Sequence, residues 1–222
     1  MKNNDKIKCA VFDLDGTLLN TIKTINYYLN YALSQYGLPT VSEEDCTSFV
    51  GDGAVKLIER ALSKVGADPS LFDMVYKTYN DSYNASPYYL TKPYDGITKV
   101  LMTLKEQGIK LAVLSNKPDF ATRATVSHFF GDVFDCVLGG RDGVPLKPCP
   151  DALFDILSEL GVTPDETAYI GDSEPDVLTA KNAGVAVNIS VTYGFRTRDQ
   201  LENVGAKIFT NIPNGILDII FA

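Results

Sequence analysis

Two pairs of acidic residues have a spacing that would bring their carboxylates together. Asp13 and Asp15 are two residues apart after an apolar run, so on an extended segment both side chains leave the same side. Asp172 and Asp176 are four apart across a predicted helix start and can share one helix face. Carboxylates this close repel one another unless a cation or a proton lies between them. The pattern therefore favours a site for Mg²⁺, which prefers a few carboxylates together with water and phosphate oxygens.

Each acidic pair taken alone also has a purely structural interpretation. A segment of the type Asp-x-Asp-Gly is typical of a turn, and acidic residues at a helix start cap the helix and interact with its dipole. Because each pair directly follows a predicted strand, we interpret the two pairs as parts of one site.

Two further segments at predicted strand ends carry groups that suit a phosphate. Ser115 and Asn116 precede Pro118, a predicted helix start where free backbone N–H groups and the helix dipole favour an anion. Lys147 lies in a proline-containing loop, and its ammonium would offset the charge of a nucleophilic carboxylate and of a phosphoryl group. By themselves, the first segment would be an ordinary helix N-cap and the lysine a solvated surface amine.

All of these residues depend on a sheet whose predicted strands alternate with helical patterns. Short apolar runs predict buried strands at residues 7–12, 110–114, 134–138, 167–170 and 185–189, with a last strand at 207–210 and a closing helix. This alternation indicates an α/β fold, a Rossmann-like, doubly wound and mainly parallel sheet with helices on both faces. Ligands bind beyond the carboxyl ends of such strands, so we expect the polar segments to meet there.

The interval after the first strand does not follow this alternation. Residues 18–89 carry helical patterns without a convincing strand, and they are too long for a single crossover connection. We therefore predict that residues 1–17 and 90–222 form the Rossmann-like core, and that residues 18–89 form an inserted, all-helical cap domain. Gly16 and residues 90–96 are expected to lie near the hinges.

Composition limits the classes of partner and compartment. The chain has 222 residues and a formal net charge of −8, which argues against nucleic acid and against an anionic membrane surface. It has no apolar run of membrane-spanning or signal-peptide length. Four scattered cysteines and a single histidine support neither a zinc site nor a thiol-redox motif. We expect a cytoplasmic monomer or homodimer that binds a small metabolite.

The four polar segments resemble, in order and position, the motifs of the haloacid dehalogenase-like hydrolases. The matching segments are DLDGT, the serine of LSN, the lysine of KP, and GDSEPD, and the resemblance covers essentially the whole chain. The insertion resembles the helical C1 cap of that family. The resemblance implies a Mg²⁺-dependent phosphatase that hydrolyses a small phosphorylated metabolite through an aspartyl-phosphate.

The resemblance also implies catalytic roles for three residues. Asp13 would be the nucleophile, and its carboxylate would bind Mg²⁺ together with the backbone carbonyl of Asp15. Asp15 would act as general acid and then as general base, and Lys147 would orient and neutralise the reacting groups. Dehalogenases of the family lack the second aspartate of the first motif, so Asp15 favours phosphoryl transfer.

The remaining motif residues would bind the phosphate or the metal. Ser115 and Asn116, with Lys147, would hold the phosphoryl oxygens. Asp172 would bind Mg²⁺, and Asp176 would bind it directly or through water.

Within the family, the chain most resembles the phosphoglycolate phosphatases and their relatives. SNKP, FVGDGAVKLIERAL, PYDGI and YGFRTRDQL are the segments that carry this resemblance. A phosphosugar mutase, a pyrophosphatase or a phosphonatase remains an alternative. The beta-phosphoglucomutase branch has a histidine where this chain has Ile25, and phosphonatases need a cap lysine, for which Lys56 and Lys64 are available.

Substrate-recognition residues are less clearly marked in the sequence. Lys56 and Arg60 are four apart on a predicted cap helix and could meet a carboxylate on the substrate, although such residues more often form a solvated face. The tyrosine-rich residues 76–94 could line the cleft, but helix packing and hinge contacts explain them better. A phosphate-sensing module without turnover is the non-enzyme alternative, but such a module has no need for an acid at Asp15.

Overall fold

The computed structural model describes residues 7–222, which contain eight strands and ten α-helices. The strands are β1 (Cys9–Phe12), β2 (Leu19–Asn20), β3 (Lys92–Pro93), β4 (Lys110–Pro118), β5 (Cys136–Gly140), β6 (Thr167–Gly171), β7 (Val187–Val191) and β8 (Ile208–Thr210). The helices are α1 (Ile22–Ser34), α2 (Glu43–Phe49), α3 (Gly53–Lys64), α4 (Phe72–Ala85), α5 (Ile97–Glu106), α6 (Asp119–Phe130), α7 (Asp151–Leu160), α8 (Glu174–Ala183), α9 (Arg198–Asn203) and α10 (Gly215–Ile220). None of the helices within residues 7–222 is long and apolar enough to cross a bilayer.

Six strands form one parallel sheet in the order β5-β4-β1-β6-β7-β8. Alternate residues of the central strand β1 are buried on opposite faces of this sheet. Ala10 and Phe12 pack in an apolar cluster with α5 and α10, whereas Cys9 and Val11 pack in a second cluster with α7 and α8. This period of two, with both faces apolar, requires helices on both sides of the sheet. The predicted doubly wound α/β class is therefore confirmed.

Several strand bounds differ from the sequence-based prediction. Strands β5 and β7 each begin and end two residues later than predicted, and β4 continues to Pro118 instead of ending at residue 114. The pairing of β4 with β5 shifts register between Leu114 and Pro118. The SNKP segment is therefore the end of a strand, and its side chains are held by the sheet.

The chain between β2 and β3 forms helices α1 to α4, which enclose an apolar cluster of their own. Leu29, Ile58 and Val75 are fully buried in this cluster. The strand β2, which the sequence analysis missed because two residues show no periodicity, pairs antiparallel with β3. The pair joins the two ends of the helical segment to each other. The assignment of residues 18–89 as a cap domain stays a prediction, and residues 1–6 of the predicted core lie outside the described residues.

Two substitutions on α3 test this separate helical core. Ile58 is fully buried, whereas Val55 on the same helix is 44% exposed. We expect Ile58→Ala to lower the free energy of unfolding by about 2–5 kcal/mol because it leaves a cavity, and Val55→Ala to change it by less than about 0.5 kcal/mol. Urea unfolding followed by circular dichroism measures both. Equal losses in the two variants would contradict the packing described.

Candidate active site

Three buried carboxylates meet at the carboxyl end of the sheet. Asp13 directly follows β1, and Asp172 directly follows β6, the neighbour of β1 in the sheet. Asp176 lies in the first turn of α8. Each of the three offers an oxygen within 4.8 Å of the other two. The structure thus brings together three of the residues predicted to bind a metal.

The close approach of these carboxylates changes their ionisation. Burial, followed by the charge of Asp176, raises the pKa of Asp13 well above its ordinary range, although Lys147 opposes the shift. Burial and Asp176 also raise the pKa of Asp172 to about 7, against hydrogen bonds from the Phe195 N–H and the Thr17 hydroxyl. A cation between the carboxylates would remove this repulsion. The all-oxygen, acidic donor set fits a hard divalent cation.

Glycines leave the space that the carboxylates occupy. At Gly16, with a φ of 86°, a Cβ would lie 2.2 Å from Oδ2 of Asp172. At Gly171, a Cβ would lie 2.4 Å from the Cβ of Asp176. A side chain at either position would displace a carboxylate of the cluster.

Lys147 lies beside this cluster and is almost fully buried. Its Nζ is 3.0 Å from Oδ1 of Asp13 and 2.6 Å from Oδ1 of Asp176, and it donates to the Leu114 carbonyl at 3.1 Å. Burial disfavours the ammonium, but Asp13 and Asp176 outweigh burial and raise the pKa of Lys147 well above its ordinary value. Lys147 therefore stays charged and can offset negative charge at Asp13.

The Asp15 carboxylate has a different partner. It is not a member of the three-carboxylate cluster found among residues 7–222. Its two oxygens lie 3.1 and 3.2 Å from Nζ of Lys117, whose side chain is 6% exposed. The ion pair holds the carboxylate at the wall of the cavity. Its predicted metal contact through the backbone carbonyl stays a prediction.

The two residues predicted to hold phosphate, Ser115 and Asn116, are buried at the end of β4. The Asn116 side chain is occupied by backbone groups: Oδ1 accepts from the Lys147 N–H at 2.8 Å, and Nδ2 donates to the Gly51 carbonyl at 3.0 Å. Asn116 therefore positions the Lys147 loop and the loop before α3. The Ser115 hydroxyl accepts from the Lys117 N–H at 3.3 Å and keeps its own proton to donate.

A cavity of about 80 Å³ lies between the sheet edge and the helical segment. Its core wall includes Asp13, Asp15, Ser115, Asn116, Lys117 and Arg196, and its opposite wall includes Ala54, Leu57, Tyr79, Asn80, Tyr83 and Asn84. The nucleophile and acid–base candidates thus face helices α3 and α4 across a small space.

Lys56 and Arg60, predicted as possible specificity residues, are not among the residues that line this cavity. Lys56 is paired with Glu59 at 2.6 Å on the exposed face of α3. Arg60 donates to the Phe49 carbonyl at 2.7 Å and pairs with Asp52. Their spacing correctly placed them together, but it did not indicate which face of α3 meets the cavity.

Two charged residues that line the cavity, Lys117 and Arg196, had no role predicted from the sequence. Lys117 pairs with Asp15 and donates to the Tyr83 hydroxyl at 2.6 Å. Alternation along β4 could have found Lys117, because it is two residues beyond Ser115. Arg196 is 8% exposed and donates to carbonyls 149 and 146 residues away, a contact that no local sequence pattern could reveal.

Replacing Asp172 is expected to change how stability depends on pH in the metal-free protein. The carboxyl group of Asp172 has a pKa of about 7 in the folded protein, against an ordinary value of 3.8. Its contribution to stability is therefore fully present below pH 3.8 and is lost as the pH rises towards 7. Asparagine does not ionise. We expect the free energy of unfolding of Asp172→Asn, relative to the wild type, to rise by a few kcal/mol across this window and then level off.

Urea unfolding at a series of pH values in a chelator measures this difference. Asp73→Asn, which replaces an exposed carboxylate on α4, is the matched control. A difference between Asp172→Asn and wild type that is independent of pH would contradict the raised pKa.

Known proteins resemble this chain over nearly its whole length. A family model described as haloacid dehalogenase-like hydrolase matches residues 10–189. The phosphoglycolate phosphatases of Haemophilus influenzae and Vibrio vulnificus are each 34% identical to the chain, over 97% and 96% of this chain and 96% and 92% of those proteins. A crystal structure of a candidate phosphoglycolate phosphatase from Lactobacillus delbrueckii subsp. bulgaricus matches with a TM-score of 0.93 and 32% identity, over 98% of this chain and 99% of that chain. The chain therefore belongs to the haloacid dehalogenase-like hydrolases.

Proposed function

We propose that this hydrolase is a Mg²⁺-dependent phosphatase that cleaves a small phosphate ester through an aspartyl-phosphate on Asp13, with 2-phosphoglycolate as its preferred substrate. The main observation is that the buried Asp13 carboxylate lines a cavity, 3.0 Å from Lys147 and next to Asp172 and Asp176. The similarity to phosphoglycolate phosphatases supports the choice of substrate.

The surroundings of Asp13 orient one oxygen for attack. The Leu14 N–H donates to Oδ1 of Asp13 at 2.7 Å, and Lys147 contacts the same oxygen at 3.0 Å. These contacts engage Oδ1 and leave Oδ2 as the oxygen that would attack the phosphorus atom. The attack forms the aspartyl-phosphate, and the bond from phosphorus to the ester oxygen breaks. Lys147 lowers the repulsion between Asp13 and the anionic substrate.

Asp15 is suited to move the protons of both steps. As general acid it would protonate the departing ester oxygen, and as general base it would then deprotonate the water that releases phosphate. Its ion pair with Lys117 at 3.1 Å fixes the position of the carboxylate in the cavity wall. The Ser115 hydroxyl would donate to a phosphoryl oxygen.

Asp13, Asp172 and Asp176 would hold the Mg²⁺ ion, as the fit of their oxygens to a hard cation indicates. When bound, the ion would supply positive charge to the phosphoryl oxygens. Asp172 accepts the Phe195 N–H at 2.8 Å and the Thr17 hydroxyl at 2.9 Å, so its orientation is fixed by the protein. These contacts keep the carboxylates in place for the ion.

The helical residues 18–89 would act as a cap that keeps bulk water from the aspartyl-phosphate. Core residues already hold its loop between α2 and α3: Asn116 donates to the Gly51 carbonyl, and Arg196 donates to the Val50 carbonyl at 2.6 Å. Tyr79 and Tyr83 of α4 line the opposite wall. These contacts support a cap that lies against the core beside Asp13.

The phosphonatase alternative receives no support from the cap lysines. Lys56 and Lys64 pair with Glu59 at 2.6 Å and Asp45 at 2.7 Å, and neither is among the cavity-lining residues. An imine with a substrate carbonyl would require one of these amines inside the cavity. Cleavage of a phosphate ester is therefore favoured over imine-assisted cleavage of a P–C bond.

A cytoplasmic location is supported by the thiols. Cys9, Cys46, Cys136 and Cys149 are all free in the structure. Free thiols are typical of proteins in a reducing compartment. We infer that the phosphatase acts on a metabolite of the cytoplasm.

Replacing the two catalytic carboxylates tests the proposed chemistry. We expect Mg²⁺-dependent phosphate release from 2-phosphoglycolate, reduced to background in Asp13→Asn, which has no nucleophilic carboxylate. Asp15→Asn should lose about 10²- to 10⁴-fold in kcat because it lacks the acid and base. Phosphate release is measured against a panel that also contains sugar phosphates, nucleotides, pyrophosphate and phosphonoacetaldehyde.

Asp81→Asn, an exposed carboxylate of α4 that pairs with Lys77, is the matched control and should retain full activity. The proposal fails if folded, Mg²⁺-loaded protein releases phosphate from none of these compounds. It also fails if Asp13→Asn remains active.

A further inference from the structure

We infer that Lys117 and Tyr83, with the neighbouring Asn80 and Asn84, form a subsite that binds a carboxylate on the leaving group and so determines substrate specificity. The inference rests on the proposed phosphatase activity. Over residues 7–222, the cationic side chains lining the cavity are Lys117 and Arg196. They are the groups able to pair with an anionic substituent of the substrate.

Arg196 holds the core and the helical segment together. Its guanidinium donates to Oε2 of Glu174 at 2.8 Å and to the Thr47 and Val50 carbonyls at 2.8 and 2.6 Å. Turning this group towards a substrate carboxylate would break those contacts. Lys117 also has partners, but they are Asp15 and Tyr83, side chains of the cavity wall itself, so it keeps its place beside the substrate.

Lys117 is held between the core and the cap. Its Nζ contacts the Asp15 carboxylate at 3.1 Å and donates to the Tyr83 hydroxyl at 2.6 Å. It also lies 4.5 Å from the centroid of the Tyr83 ring. Because the hydroxyl accepts the bond from Lys117, its own proton can be donated to a ligand. The pair thus presents an ammonium and a polarised O–H group to the same space.

The wall around Tyr83 adds further donors. Asn80 and Asn84 line the cavity from α4, three residues before and one residue after Tyr83. Each side-chain amide has two N–H donors. An ammonium, a phenol and two amides together match a carboxylate, which only accepts hydrogen bonds.

The contacts of Lys117 favour a short substrate. Ser115, proposed to hold the phosphoryl group, and Lys117 both line the cavity and are two residues apart on β4. Lys117 also contacts Asp15, the group proposed to protonate the ester oxygen. The carboxylate must therefore lie close to the ester oxygen, as it does in the phosphate ester of a short 2-hydroxy acid.

A pair of esters that differ only in this charge tests the subsite. The wild type, Lys117→Met and Tyr83→Phe are compared on 2-phosphoglycolate and on its neutral amide, O-phosphoglycolamide, in the presence of Mg²⁺. We expect the wild type to prefer the acid by about 10- to 100-fold in kcat/KM, the effect of a hydrogen bond to a charged group. Lys117→Met should reduce this preference to near one, mainly through KM for the acid.

The ratio of kcat/KM for the acid to kcat/KM for the amide separates specificity from catalysis. Loss of the contact between Lys117 and Asp15 would lower turnover of both esters equally and leave this ratio unchanged. Tyr83→Phe should lower the preference by a smaller factor. Lys77→Met, which removes an exposed lysine of α4, is the control and should keep the wild-type ratio.

A variant at the mouth of the cavity provides a second test that does not alter a buried group. Asn84 is exposed and lines the cavity, so Asn84→Asp should fold and add a negative charge to the subsite. We expect it to slow hydrolysis of 2-phosphoglycolate at least tenfold relative to the amide, through charge repulsion. Competitive inhibition by glycolate should weaken in the same variant, whereas inhibition by inorganic phosphate should not.

Three outcomes overturn the inference. Equal kcat/KM values for the two esters in the wild type, or an unchanged preference in both Lys117→Met and Asn84→Asp, would remove the subsite while leaving the phosphatase activity established. Phosphate release from neither ester nor any compound of the wider panel would overturn the proposed function, and the subsite with it.

Discussion

The buried ammonium of Lys147 is the contact on which the arrangement of the site depends. It links three elements of the sheet edge, because it lies within 3.0 Å of Asp13 after β1, within 2.6 Å of Asp176 on α8, and donates to Leu114 on β4. Charges removed from water remain ionised only when partners and hydrogen bonds replace the solvent. Asp13 and Asp176 thus keep Lys147 charged, the ammonium holds both carboxylates in position, and loss of one member would leave an uncompensated buried charge.

The same network reaches the cap through Asn116. The amide oxygen of Asn116 accepts the Lys147 N–H at 2.8 Å, while its nitrogen donates to the Gly51 carbonyl at 3.0 Å. Residues 195 and 196 make a second connection of this kind. The Phe195 N–H donates to Asp172 at 2.8 Å. The guanidinium of the next residue, Arg196, donates to the Val50 carbonyl in the loop between α2 and α3. The positions of Lys147, of Asp172 and of the loop between α2 and α3 therefore depend on shared backbone segments. A displacement of the cap loop would be transmitted to both charged groups.

The sequence predicted the position of those polar residues that follow the carboxyl ends of strands. Asp13, Asp172 and Lys147 could be predicted to meet because a parallel sheet brings its carboxyl ends together, and local patterns show where those strands end. Local periodicity also placed Lys56 and Arg60 on one side of a helix. It could not show that α3 faces the cavity with Ala54 and Leu57, since that depends on how the helix packs.

The residues that the sequence did not reveal have partners far along the chain. Lys117 is 102 residues from Asp15 and 34 from Tyr83, so the spacing between them carries no period that a helix or strand would impose. The tyrosine-rich segment was interpreted as packing, and Tyr79 and Tyr83 are indeed buried. One edge of that packing is also the cavity wall, so both interpretations of the segment hold for these two residues. Burial and recognition are therefore not alternatives for an aromatic residue that carries a hydroxyl group.

The charges around the cavity also set an order of binding. Asp13, Asp15, Asp172, Asp176 and Glu174 supply five carboxylates, while Lys117, Lys147 and Arg196 supply three cations, an excess of two negative charges. This excess is consistent with the raised pKa values of Asp13 and Asp172. A phosphate ester that entered a metal-free site would add further negative charge next to buried carboxylates. A divalent cation offsets the excess, and we therefore expect the metal to bind before the substrate.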